Sequence, residues 1–148
     1  SRHCVMATSA EQRAFLVDTS VAIPLVTKDH PDFATVSAAV GRRRLGLAGQ
    51  AAFETFSVLS RLPAPARRTP AVIRTLLERN FPATVFLSPH RSSELLAALA
   101  THRIAGGSVY DALVGAAAAE HSLTLITRDR RALSTYAALG VDLEVLGV

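Results

Sequence analysis

One cysteine, one lysine, one methionine and no tryptophan leave this chain short of several kinds of chemistry. A lone Cys4 excludes an internal disulfide and a cysteine-based zinc site, so a reduced, cytoplasmic setting is the default expectation. No apolar run approaches the ~18 residues needed to span a bilayer. The opening stretch, Ser1 to Arg13, is polar and lacks the apolar centre of a signal peptide. None of the five histidines forms an H-E-x-x-H pair and no serine stands in G-x-S-x-G, which sets aside zinc-peptidase and nucleophile-elbow chemistry. G-x-G-x-x-G is missing too, against a dinucleotide binder. Asp18 is followed by Thr19-Ser20, not by the second acid of the D-x-D that haloacid-dehalogenase-type phosphatases need.

What is present is an ordinary globular composition with a basic surplus. A chain of 148 residues, 49% hydrophobic and 19% charged, suits one domain with a proper core. Sixteen basic residues face twelve acidic ones for a net charge of +4, and fifteen of the sixteen are arginines. Guanidinium forks grip phosphate at two points, so this surplus suits a nucleic-acid partner. A coding bias toward Arg and Ala would leave the same count. Composition alone does not choose between the two.

Residues 1–13 read as a leader, with Met6 as a candidate start, ahead of a single domain over 14–148. Short apolar runs at 14–17, 45–48, 84–87, 123–126 and 141–146 read as strands. Helix-period runs fall between them, at 20–27, 31–43, 50–62, 71–80, 91–103, 108–121 and from Arg130 onward. The cations Arg42, Arg43 and Arg44 suit the end of the second helix, where they complement its dipole. Strands alternating with helices argue a parallel sheet covered on both faces. Two helical runs separate the third and fourth strands. One of them is expected to lie across the sheet, so that Asp111 stays at the same edge as the other acids.

Four acids then carry the chemistry: Asp18, Glu54, Asp111 and Asp129. Each has a bland explanation. Asp18 and Asp129 suit helix caps, Asp111 follows Ser108 at capping-box spacing, and Glu54 suits a solvated helix face. Singly these explanations serve well. Together they do not explain why four acids fall near helix starts along one sheet edge, where open α/β sheets bind ligands. Two carboxylates ~4 Å apart repel by about 4 kcal/mol at an effective dielectric near 20, against a domain stability of ~5–15 kcal/mol. Such a cluster calls for a cation, and an all-oxygen ligand set favours Mg²⁺ or Mn²⁺.

Four stretches carry a resemblance: AFLVDTSV at 14–21, FETFSVLSRL at 53–62, GGSVYDALVGAAAAEH at 106–121 and LITRDRRALSTYAALGV at 125–141. Together they resemble a PIN-domain ribonuclease, and more narrowly the VapC toxin branch of bacterial toxin–antitoxin pairs. The resemblance implies a parallel sheet of about five strands in the order 3-2-1-4-5. It also implies Mg²⁺- or Mn²⁺-dependent cleavage of structured RNA, tRNA or rRNA. The family's acid quartet falls on Asp18, Glu54, Asp111 and Asp129, and its accompanying hydroxyl on Thr127. Asp18, Asp111 and Asp129 would form the main metal site with Glu54 at its edge, as a ligand or a proton acceptor. Arg128 and Arg130 lie near enough to meet RNA phosphates, while Arg131 would either join them or face solvent. A VapB-like antitoxin and a homodimer are the implied partners. The alternative is a PIN-like RNA-binding module without catalysis, which would have lost the acids that this chain keeps.

Overall fold

The computed structural model describes residues 13–147; the leader therefore lies, apart from Arg13, outside the described residues. Four strands, β1 (Ala14–Val17), β2 (Arg44–Leu47), β3 (Leu125–Thr127) and β4 (Leu143–Val145), form one parallel sheet in the order β2-β1-β3-β4. The helices are α1 (Thr19–Val26), α2 (Phe33–Val40), α3 (Gln50–Ser60), α4 (Pro70–Asn80), α5 (Pro89–Thr101), α6 (Ser108–Glu120) and α7 (Leu133–Ala138), with a 3₁₀ turn at Arg130–Ala132 leading into α7. Successive strand residues point to opposite faces, and the core divides accordingly. Val17 and Ile126 pack with Val21, Val36, Leu59 and Ile73 of α1 to α4. Leu16 and Leu125 pack on the other face with Val114 and Ala118 of α6 and Tyr136 of α7. No helix among the described residues is long and apolar enough to cross a membrane.

Helix boundaries follow local chemistry more closely than apolar period. Thr69 and Ser88 accept the amides of Val72 and Arg91, and a proline stands in the first turn after each. Both helices thus start slightly before the apolar pattern does, because proline suits the first helical position. The second helix is shorter than 31–43 and stops at Gly41. Arg43 serves its end from outside: its guanidinium donates to the Val40 and Ala39 carbonyls, pairs with Glu144 at 2.6 Å, and lies over the Phe15 ring.

The fifth strand expected at 84–87 is reduced to one parallel bridge, Ala48 to Val85, on the outer side of β2. The order otherwise matches 3-2-1-4-5, with this segment in the outermost place. Ala83 and Val85 do donate to Leu45 and Leu47. Gly49 returns one bond to the Val85 carbonyl at 2.8 Å, but the Leu47 amide goes at 3.0 Å to the Thr84 hydroxyl in place of a backbone carbonyl, so no second bridge forms. The two segments meet at Gly46, where a Cβ would stand 2.1 Å from the Ala83 carbonyl oxygen. After Val85 the chain turns to the foot of α6, where the Ser88 amide donates to Glu120 at 2.8 Å. There α5 begins, and it runs antiparallel to α6. The pair turns back on itself and delivers Asp111 to the edge that holds Asp18 and Asp129.

Gly46→Ala should therefore cost about 3 kcal/mol or more, because backbone cannot yield as a side chain can. Urea denaturation measures it; a loss below about 1 kcal/mol would mean that the 83–85 segment is free to move away.

Candidate active site

Asp18 directly follows β1 and caps α1. Its Oδ1 accepts the Ser20 amide at 3.1 Å and the Ser20 hydroxyl at 2.5 Å. Its Oδ2 accepts the Thr127 hydroxyl at 2.5 Å and the Tyr136 hydroxyl at 2.8 Å. The residue is only 4% exposed. Burial raises its pKa, the three hydroxyls oppose that shift, and Asp129 adds to it. Four donors fill the acceptor positions of a carboxylate. Asp18 is thus fixed before any ligand arrives.

Thr127, buried at the end of β3, links two acids. Its hydroxyl donates to Asp18 and accepts the Asp129 amide at 3.0 Å. Asp129 in turn caps the 3₁₀ turn by accepting the Arg131 amide at 3.1 Å. Asp111 lies in the first turn of α6, which starts at Gly107 without any side-chain cap, so no capping box forms with Ser108. Its carboxylate pairs with Arg131 at 3.2 Å. Glu54, in the second turn of α3, accepts the Thr19 hydroxyl at 3.1 Å. Burial raises the pKa of both Asp111 and Glu54. Neighbouring carboxylates add to each shift, Asp129 and Asp18 on Asp111, and Asp111 and Asp18 on Glu54. The four acids therefore share one electrostatic site at the carboxyl edge of the sheet.

The arginines divide by function. Pro24 cannot donate to the Ser20 carbonyl one turn earlier in α1. That carbonyl accepts Arg128 Nη1 at 3.1 Å instead, while Arg128 Nη2 pairs with Asp32 at 2.7 Å. The Arg128 side chain is 17% exposed and ties β3 to the α1–α2 region. Arg130 is exposed. Arg131, expected to meet phosphate or to face solvent, instead reaches back over the acids and bridges Asp111 and Asp129.

Tyr136 is the residue that sequence reasoning missed. Its ring packs against Gly115 of α6, where a Cβ would come within 3.1 Å of it. Burial, then the Asp18 charge, push its ionisation far upward, so its hydroxyl stays a donor. Its signal was available: a buried tyrosine normally finds a partner for its hydroxyl, and this one lies two helical turns beyond Asp129.

The acceptor set suits a hard divalent cation, since the lone pairs converging here are carboxylate and hydroxyl oxygens. Among the described residues no three His, Cys, Asp or Glu side chains are gathered to hold an ion directly. Mg²⁺ keeps several waters and uses one or two carboxylates, and the two that the Arg131 fork joins, Asp111 and Asp129, are such a pair. Asp111 and Asp129 offer the more open oxygens; Asp18 would contribute through water or by giving up a donor.

Tyr136→Phe keeps the ring and deletes one donor to a buried carboxylate, so unfolding in urea should show a loss of about 1.5–3 kcal/mol; no loss would mean that the hydroxyl is spare. Asp111→Asn tests the crowding of charge. A raised folded pKa means that stability is fully present below the unfolded value, 3.8 for Asp, and is lost as pH rises through the folded one. In EDTA the variant should therefore match the wild type near pH 4 and melt a few degrees higher at pH 7. A variant that melts lower at pH 7 would contradict net repulsion.

Comparison with known proteins agrees with this geometry. A family model described as the PIN domain matches residues 15–139. Ribonuclease VapC27 of Mycobacterium tuberculosis strain H37Rv is 47% identical over 129 residues, covering 87% of this chain and 94% of the relative. Ribonuclease VapC40 of the same species is 37% identical over 131 residues, covering 87% and 96%. Two solved structures share the fold at lower identity. DNA-bound VapBC from Salmonella typhimurium has a TM-score of 0.63 at 18% identity, covering 90% of this chain and 98% of that one. FitAcB from Neisseria gonorrhoeae has a TM-score of 0.60 at 22% identity, covering 87% and 95%. With the acids gathered at one sheet edge and relatives matching along most of its length, the chain belongs to the PIN-domain family, among the VapC ribonucleases.

Proposed function

We propose that this protein is the toxin of a toxin–antitoxin pair, an endoribonuclease that cuts structured RNA, tRNA or rRNA, by Mg²⁺- or Mn²⁺-dependent hydrolysis. The observation that carries the reading is the meeting of Asp18, Glu54, Asp111 and Asp129 in one electrostatic site. A divalent ion held there would acidify a water and neutralise charge on the phosphate. Asp111 and Asp129 would hold it, with Asp18 locked behind them by its hydroxyl donors. Glu54, whose pKa burial raises and whose carboxylate takes a single hydroxyl donor from Thr19, is suited to accept a proton from the attacking water. Thr127 orients Asp18 and Asp129 and attacks nothing, because its hydroxyl is fully engaged. Of Arg128 and Arg130, Arg130 takes the larger share of the RNA phosphate contact, since Asp32 and Ser20 already occupy Arg128.

A VapB-like antitoxin is the proposed partner. An apolar groove of 490 Å³, lined in part by Phe53, Phe56, Phe81 and Phe86, supports a protein ligand. Phe53 is 63% exposed there and its ring meets Phe86 at 5.9 Å. Exposed apolar grooves of this kind mark protein contacts more often than bare surface. A homodimer and a cytoplasmic location belong to the same reading.

RNA 5′ ends mapped after brief induction in cells, and again with purified protein and Mn²⁺, test the activity. Asp111→Asn should lower cleavage roughly a hundredfold or more, the scale of several kcal/mol of lost charge stabilisation. RNA binding without any cleavage in Mn²⁺ would favour the non-catalytic module instead. Arg130→Ala should reduce the salt dependence of RNA binding by about one unit of slope and leave the cut position unchanged, because phosphate contacts carry no sequence. A shifted cut with the slope intact would contradict that role.

A further inference from the structure

Arg131 occupies an unusual position for a side chain of a phosphate-cutting site. Its backbone amide is held by Asp129 Oδ1 at 3.1 Å, which fixes the start of the side chain beside the acids. The guanidinium then spans Asp129 Oδ2 at 3.0 Å and Asp111 Oδ2 at 3.2 Å, joining the 3₁₀ turn to α6 across 20 residues of sequence. The side chain is nevertheless 67% exposed. It therefore covers the two open carboxylates from the solvent side, the side from which an ion and an RNA phosphate must come.

Two consequences follow from elementary electrostatics. A guanidinium and a divalent ion compete for the same two oxygens. Exposed ion pairs are weak and exchange readily, so the cover can be displaced. A guanidinium released from carboxylates also has a natural next partner, because its fork matches phosphate as well as carboxylate. We propose that Arg131 is the site's own counter-cation: it bridges Asp111 and Asp129 in the metal-free protein, yields them to the divalent ion, and then contacts the RNA phosphate brought to that ion. This assignment rests on the metal-dependent reading above and adds to it a substrate-contacting residue whose availability depends on the ion. Coupling of this kind is reciprocal, so RNA and ion would each strengthen the binding of the other through Arg131.

Calorimetric Mn²⁺ titration without RNA, on wild type, Arg131→Gln and Arg131→Lys, reads the first half. Arg131→Gln should bind Mn²⁺ about two- to tenfold more tightly, the range of two exposed ion pairs removed, and Arg131→Lys should fall between. Binding of a fluorescent hairpin RNA with phosphorothioate linkages reads the second half. In EDTA the wild type and Arg131→Gln should bind it alike, within about twofold, whereas in Mn²⁺ the wild type should be severalfold tighter. Unchanged Mn²⁺ affinity in Arg131→Gln would overturn the proposal, as would an equal loss of RNA affinity with and without Mn²⁺. Asp111→Asn separates this from failure of the underlying reading. If that variant also leaves Mn²⁺ affinity unchanged, the ion is not at these acids and both readings fall.

Discussion

A buried carboxylate is the constraint on which the rest of this structure depends. Asp18 is held at the end of the central strand, out of water, where an unpartnered charge would cost several kcal/mol. Its four donors come from α1, β3 and α7. Satisfying one acid thus fixes three elements against one another. Tyr136 extends the effect, since its ring also sets how closely α6 approaches α7 at Gly115. Asp111 sits one turn before that contact on the same helix. The position of one acid is therefore transmitted through packing to another.

The remaining acids are crowded together at some expense to the fold. Desolvation and mutual repulsion both push Glu54 and Asp111 toward protonation. A protein selected only for stability would relieve this with fixed partners, as it does elsewhere by pairing Arg43 with Glu144 and Arg128 with Asp32. At the acid edge the cationic partner among the described residues is instead one exposed arginine, Arg131. Charge left incompletely neutralised is charge available to a cation, and the rest of the architecture supplies the rigidity that keeps it in place.

Much of this was legible in the sequence, for identifiable reasons. Asp18, Asp111 and Asp129 could be read because each stands where a strand gives way to a helix or where a helix begins, and a parallel sheet brings such points to one edge. The sheet order followed from alternating strands and helices, with the outermost strand as the exception. Its shortfall depends on one hydroxyl, that of Thr84, accepting an amide in place of a carbonyl, and no apolar pattern reports that. The apolar period places the helix starts after Thr69 and Ser88 a residue or two late, because it does not report the Thr-Pro and Ser-Pro caps. Arg128 and Arg131 were hardest. Whether an arginine faces RNA, solvent or an acid depends on partners distant in sequence: Asp32 and the carbonyl freed by Pro24 for one, Asp111 for the other.

We propose that the four carboxylates at the sheet edge form one cation site behind a displaceable arginine. Anomalous diffraction from crystals grown with Mn²⁺ addresses it most directly. The account predicts a manganese peak between Asp111 and Asp129, with Arg131 turned away from both and the Asp18 hydroxyl network intact. A peak elsewhere on the surface, or a manganese ion seated among the acids with Arg131 still bridging Asp111 and Asp129, would contradict it.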